Sequence, residues 1–131
     1  MDPSGPRNYE LLAEVLTEAL ASVPDAERCA EQAGRIWGEQ CAPHGVDPIA
    51  DLLVVLGDFG FAPEATDSGI RLNRCPFLEL ARDHPGVTCA VHLGIMQGVL
   101  ASHASPVHLA GLEAFVDADH CFATVTTGGR P

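Results

Sequence analysis

Apolar residues recur at helical spacing in the first part of the chain. A first amphipathic helix is predicted over about residues 9–22, because apolar positions lie three or four residues apart there. Pro24 is expected to open a second helix, with Asp25 and Glu27 in a first turn where the helix dipole favours acids. The predicted inward stripes are Tyr9, Leu12, Leu16, Ala19 and Val23 in the first helix, and Cys29, Ala33, Ile36 and Trp37 in the second.

A third helix has a clear local start signal. Asp47 is the expected N-cap and Pro48 the first helical residue, and we expect Gly57 to end the helix. Beyond it, residues 61–65 and 69–72 flank the turn-rich stretch "TDSG", which predicts a hairpin. A short helix is expected over about residues 77–84.

The second half of the chain carries the most apolar segment. A helix is predicted from Val87 to about Ser102, and it is apolar on most of its circumference, so we expect it at the centre of the domain or in a dimer interface. Gly94 and Gly98 would let another element approach closely. Strands are expected at residues 107–109 and 121–125, which predicts an α+β fold: N-terminal helices, then a small antiparallel sheet packed on a long buried helix.

Length and charge limit the function classes. The 131 residues suit a single domain, expected over residues 9–126 between a flexible leader (1–8) and a flexible tail (127–131). A formal charge of -11 leaves no basic stripe, so we expect no direct nucleic-acid binding. The chain start lacks the apolar core of a signal peptide and no apolar run could span a membrane, which predicts a cytoplasmic location.

Five cysteines without a secretory signal favour reduced thiols over disulfides. Cys29 is predicted to be a buried apolar residue, and Cys41 a partly buried residue that could also pair with His44. Cys75, Cys89 and Cys121 each begin or flank an element. Three thiolates with one imidazole suit tetrahedral zinc, and three cysteines with an exchangeable ligand suit an iron–sulfur cluster.

Cys89 is expected at a helix N-terminus, where the dipole lowers the pKa of a thiol. His92 follows one turn later on the same face, and His103 is expected where the chain returns toward Cys89 or Cys121. A Cys89–His nucleophile pair is an alternative, although no oxyanion-type glycine loop accompanies it. The spacing of the cysteines alone matches no compact zinc knuckle. It is compatible with a shared metal site and also with buried thiols that bind nothing.

The stretches "GFAPEATDSGIRLNRCPFLELARDHPGVTCAVHLGIMQGVLA" and "GLEAFVDADHCFATV" resemble the C-terminal sensor half of SufR-like regulators. These are bacterial winged-helix transcription factors, often placed in the ArsR or DeoR groups. Together with "YELLAEVLTEALA" and "AGRIWGEQ", the resemblance covers about residues 8–126. Similar elements occur in vinyl-reductase-type ligand-binding domains, a dimeric α+β fold.

The resemblance implies an iron–sulfur or metal-binding sensor domain used in transcription regulation, with Cys75, Cys89 and Cys121 as ligands. The family carries a further cysteine between the second and the last, and here only His92 or His103 could replace it, so zinc rivals an iron–sulfur cluster. Only eight residues precede Tyr9, so we expect no DNA-binding domain in this chain. A homodimer through the long helix is expected, and an organic-effector module with structural zinc or a free-standing cofactor-dependent enzyme are the alternatives.

Overall fold

The computed structural model describes residues 2–43, 45–103, 107–113, 116 and 120–126. The predicted flexible tail (127–131) and His44 lie outside this part. The helices are α1 (Tyr9–Ala21), α2 (Ala26–Cys41), α3 (Pro48–Phe59), α4 (Leu78–Asp83) and α5 (Pro85–Ala101). The strands are β1 (Pro63–Ala65), β2 (Gly69–Leu72), β3 (His108–Glu113) and β4 (Cys121–Thr126). The predicted α+β class is confirmed, and no helix of the described part is long and apolar enough to cross a membrane.

The strands form one antiparallel sheet in the order β1-β2-β4-β3. The predicted hairpin is present as β1 and β2, and β4 pairs with β2 so that Cys121 lies opposite Leu72. On its other side β4 pairs with β3, whose register shifts between Leu109 and Gly111. Cys121 therefore lies on a central strand opposite Leu72, and Cys75 follows Leu72 by three residues along the chain.

Helix α5 lies at the centre of the domain, which decides between the two positions expected from its sequence. Ten of its residues are buried, from Val87 to Leu100. Its side chains join a core with α3 and the inner face of the sheet: Leu52, Val55, Leu56, Phe61, Ile70, Leu72, Ile95, Met96, Val99, Leu100, Leu109, Cys121 and Ala123. The second half of the chain thus builds the core around this helix.

Helices α2 and α5 touch backbone to backbone through glycines on both sides. A Cβ atom added to Gly94 or Gly98 would collide with a carbonyl oxygen of α2, and one added to Gly34 or Gly38 would collide with a carbonyl oxygen of α5. The close approach expected at Gly94 and Gly98 is therefore present, and α2 makes it. Glycine is required at these positions because any side chain would separate the helices.

Two predicted apolar faces are wrong. The buried residues of α2 are Ala30, Gly34 and Gly38, whereas Trp37 is 62% exposed and Cys29 is exposed as well. Helix α1 buries none of its residues, and Leu12 and Leu16 lie more than half exposed. Small residues form the packed side of α2 because close backbone contact with α5 leaves no room for large ones.

The predicted ends of three helices also change. Helix α2 begins at Ala26, after Asp25 in a left-handed conformation with φ 58°. Helix α3 begins with the predicted Asp47 cap but runs through Gly57 and ends at Gly60, whose φ of 95° favours glycine. Helix α5 begins at Pro85 rather than Val87, which places Cys89 one full turn inside the helix.

Candidate metal centre

Three of the five cysteines come together from three different elements. Cys75 lies between β2 and α4, Cys89 lies on α5, and Cys121 is the first residue of β4. Cys121 is buried, and the other two are partly buried. The negative charges that these thiols would carry act on one another: Cys121 raises the pKa of both Cys75 and Cys89, and Cys75 also raises that of Cys89. The three residues expected from the sequence are thus neighbours.

The acidity of these thiols differs from the sequence expectation. Burial, and then the charges of Cys121 and Cys75, raise the pKa of Cys89 to about 11. Burial also raises the pKa of Cys75, partly offset by a hydrogen bond from the Phe77 backbone and reinforced by Cys121 and Glu79. The expected lowering at Cys89 is wrong because the dipole acts mainly in the first turn, and Cys89 lies beyond it. A cation brought to the site would reverse this balance by favouring thiolates.

His92 lies one turn after Cys89 on α5 and is buried, with 4% of its surface exposed. Its ring stacks on Phe61, with centroids 4.0 Å apart and planes at 19°, and Phe61 in turn meets the edge of Phe77. Burial lowers the pKa of His92 to about 3, so the imidazole is neutral at physiological pH. A neutral imidazole is the form that binds metals.

The Nε2 atom of His92 is buried without a hydrogen-bond partner among the described residues. Buried polar side-chain atoms are nearly always hydrogen-bonded, because leaving one unpaired costs about 1–3 kcal/mol. A metal ion bound by this nitrogen would remove that cost. By the chemistry of the donors, three thiols and one unpaired imidazole nitrogen suit either zinc or an iron–sulfur cluster.

The described residues nevertheless hold no ready coordination sphere: no three cysteine, histidine or acidic side chains among them stand close enough to form a metal-binding group. The thiols are neighbours that influence one another's pKa, but they do not converge on one point. Binding would therefore require these side chains to move closer together.

His103 lies at the opposite end of α5 and has other partners. Its Nε2 is 2.7 Å from Oδ2 of Asp51, and its Nδ1 is 3.1 Å from the carbonyl oxygen of Val99. The backbone N–H of Gly45 donates to the same oxygen of Asp51. Between Cys89 and the last residue of α5 the helix rises roughly 18 Å, so His103 does not return toward Cys89 as expected. Of the two predicted histidines, His92 is the one that lies one turn from Cys89 on α5.

The remaining candidates lie apart from this cluster. Cys29 is exposed, and the Cys41 thiol lies 3.8 Å from the carbonyl oxygen of Gly38. His108 pairs with Thr126 across β3 and β4, at 2.8 Å between Nε2 and Oγ1. His44, the partner considered for Cys41, lies outside the described residues. The Asp51–His103 pair was missed by sequence reasoning, because 52 positions separate its members and no local signal links them.

A cleft of about 670 Å³ opens beside Cys89. It runs between α2, the N-terminal half of α5 and β3, so it connects one side of the thiol cluster with solvent. Charged side chains of α2 form one wall, and Ala90, Leu93 and Leu112 contribute apolar surface. Small molecules could therefore reach Cys89 without passing through the core.

No protein-family model, no curated protein and no solved structure matches this chain.

Proposed function

We propose that this chain is a metal- or iron–sulfur-binding sensor domain of the kind found in SufR-like transcriptional regulators. Cys75, Cys89, Cys121 and His92 are its proposed ligands. The observation that carries the proposal is the unpaired, buried Nε2 of His92 one turn from Cys89, whose pKa is in turn raised by burial and by the charges of Cys121 and Cys75. The SufR-like motifs in the sequence support the three cysteines of this set.

His92 replaces the cysteine that the SufR-like pattern has and this chain lacks. His103 is the weaker choice, since both of its ring nitrogens have partners and it lies at the far end of α5. A Cys3His set suits an iron–sulfur cluster, our first choice, and it also suits structural zinc. The bound group would supply positive charge that keeps the thiols deprotonated.

The position of the ligands suits a switch. Cys75 follows the hairpin, Cys89 lies on the central helix and Cys121 begins a central strand, so occupied ligands would tie three elements together. Loss of the bound group through oxidation or iron starvation would release that constraint. The acidic charge argues against nucleic-acid binding by these residues, so the signal would pass to a DNA-binding partner or domain.

A nucleophilic enzyme is a weaker candidate than a sensor. A catalytic cysteine needs a lowered pKa or an adjacent base, whereas the pKa of Cys89 is raised to about 11 and the His92 ring is stacked in the core. An organic-effector module is favoured by one observation, the cleft beside Cys89. A cytoplasmic location is part of the proposal, because the ligand thiols must stay reduced.

A homodimer also remains a proposal, with a surface different from the one expected. Helix α5 is covered within its own chain. The large exposed apolar side chains belong instead mainly to α1 and α2, among them Leu12, Leu16 and Trp37. Light scattering after gel filtration, on the wild type and on a Leu12→Ser/Leu16→Ser variant, would test a dimer through this surface: a monomeric wild type would contradict it.

The decisive experiment is an absorption spectrum with iron and zinc quantitation on protein purified without oxygen. We expect about one zinc or one cluster per chain, and its loss in Cys75→Ser, Cys89→Ser and Cys121→Ser variants. Cys29→Ser is the matched control, because Cys29 is exposed on α2 and outside the cluster. Absence of iron, zinc and visible absorbance in the wild type would overturn the proposal, and equal loss in the Cys29→Ser variant would remove the assignment of ligands.

A further inference from the structure

We propose that the cleft between α2, α5 and β3 binds a small organic anion that carries an apolar segment. The cleft volume of about 670 Å³ lies within the range of about 300–1,000 Å³ that is typical of small-molecule sites. This inference goes beyond the proposed metal site and does not depend on it, because the contacts below involve no metal ligand except at the edge of the cleft.

Two arginines give the cleft its cationic groups. Arg28 and Arg35 both line it, and their separation of seven residues places them on one side of α2, roughly 10 Å apart along the helix. The guanidinium of Arg35 donates to Oε1 of Gln97 on α5 at 3.2 Å, which ties its side chain to the neighbouring helix. A chain with only seven basic residues against eighteen acidic ones thus places two of them in one concave site. Guanidinium groups bind carboxylates in a well-defined, two-pronged geometry.

The acidic residues of the cleft do not cancel this charge. The carboxylate of Glu27 lies against Gly86 in the first turn of α5, where free N–H groups and the helix dipole stabilise a negative charge. The lining thus holds two carboxylates, those of Glu27 and Glu31, against two guanidinium groups and the positive end of α5. The small positive excess favours an anionic ligand over a cationic one.

The apolar wall determines the rest of the ligand. Leu93 of α5 and Leu112 of β3 both line the cleft and are partly exposed. A ligand whose carboxylate pairs with an arginine could cover these side chains with a hydrocarbon segment, which gains about 25 cal/mol for each Å² of apolar surface removed from water. Such a molecule would lie beside Cys89 and would cover the solvent side of the thiol cluster.

Calorimetric titration of metal-free, chelator-treated protein with octanoate tests this inference, with 1-octanol as the uncharged probe of equal length. We expect saturable binding of octanoate, at least tenfold weaker binding of octanol, and an affinity for octanoate lowered at least tenfold in an Arg28→Gln/Arg35→Gln variant; a tenfold change corresponds to about 1.4 kcal/mol. Because both arginines are exposed, the variant should keep its fold, which circular dichroism and thermal unfolding would verify.

An Arg71→Gln/Arg82→Gln variant is the matched control, since it removes the same charge from exposed positions outside the cleft lining. It should bind octanoate like the wild type. The inference is overturned by absence of saturable binding to the wild type, by equal binding of octanol, or by equal losses in both double variants. Because the titration uses metal-free protein, a failure of the metal-site proposal would leave this result unchanged, and the reverse also holds.

Discussion

The N-terminal half of α5 and the end beyond its last turn each hold a histidine, and the two histidines are in opposite states. At the first end, His92 is buried and neutral, has an unpaired Nε2 and lies one turn from Cys89, whose pKa is raised. Beyond its last turn, His103 has both ring nitrogens engaged, with Asp51 and with the Val99 carbonyl. At the second end, both histidine nitrogens have hydrogen-bond partners. At the first end, a buried histidine nitrogen has none among the described residues, which is why this end is the candidate site.

The largest expected effect on stability comes from a change in the middle of α5, where this helix packs on α2. In Gly94→Val, the new side chain would collide with the backbone of α2 near Glu31. Overpacking of this kind costs about 3 kcal/mol or more, because backbone cannot move aside as a side chain can. Denaturant unfolding would measure it. Gly57→Ala is the control: its Cβ meets nothing within 4 Å, and a gain of up to about 1 kcal/mol is expected in the last turn of α3. A Gly94→Val variant with the same free energy of unfolding as the wild type would contradict the close packing of α2 on α5.

The next prediction concerns the Asp51–His103 pair, which belongs to the second end alone. Asp51→Asn should destabilise the protein by about 1–3 kcal/mol, because it leaves the mostly buried ring of His103 without its carboxylate partner. A double-mutant cycle with His103→Gln would isolate the pair, and a coupling energy of at least about 1 kcal/mol is expected. Metal content should stay unchanged in both variants. Loss of metal in His103→Gln with the fold intact would return His103 to the ligand set.

A lower pH should destabilise the folded protein through His92. Its pKa is lowered to about 3 in the folded protein, whereas the unfolded chain takes up a proton near pH 6.5. The unfolded state therefore binds more protons between these values, so the contribution of His92 to stability is complete above pH 6.5 and falls as the pH is lowered. For metal-free protein we expect a loss of up to about 2 kcal/mol between pH 7 and pH 5. Comparison of the wild type with His92→Phe at both pH values isolates this group, and equal pH dependences would count against it.

The smallest expected change in stability is the most informative about function. His92→Phe keeps a ring that can stack on Phe61 and removes the unpaired nitrogen, so metal-free protein should be unchanged or more stable by about 1 kcal/mol. The same variant should bind metal or cluster poorly. His103→Phe should show the opposite pattern, with lower stability and normal metal binding. A His92→Phe protein that is strongly destabilised and still holds metal would show that the imidazole has a structural task instead.

Local sequence signals predicted much of the fold. Asp47 and Pro48 start α3 as expected, and the all-round apolar character of α5 places it at the centre. The face of α2 could not be read from hydrophobic periodicity, since its buried side is made of Ala30, Gly34 and Gly38. Pro85 is a first-turn signal that would have given the correct start of α5, and with it the position of Cys89 inside the helix.

The candidate site was predictable only in part. Cys75, Cys89 and Cys121 could be selected from the sequence because each was predicted to begin or flank an element and matches a SufR-like motif. The raised pKa values of Cys75 and Cys89 could not be predicted, because burial depends on contacts between distant segments. The cleft with Arg28 and Arg35 also needs three elements to meet, and no periodicity in one of them indicates it.

The sequence by itself determined where most helices and strands lie, that one helix would be buried, and which cysteines were worth testing as ligands. These properties depend on neighbours three or four residues away, or on composition. Only the tertiary structure decided which histidine stays unpaired. Asp51 reaches His103 across 52 positions, whereas the pairing of α2, α5 and the sheet encloses His92 without a hydrogen-bond partner among the described residues. Hydrogen bonding in a protein interior is settled by packing, so this distinction exists only after the chain has folded.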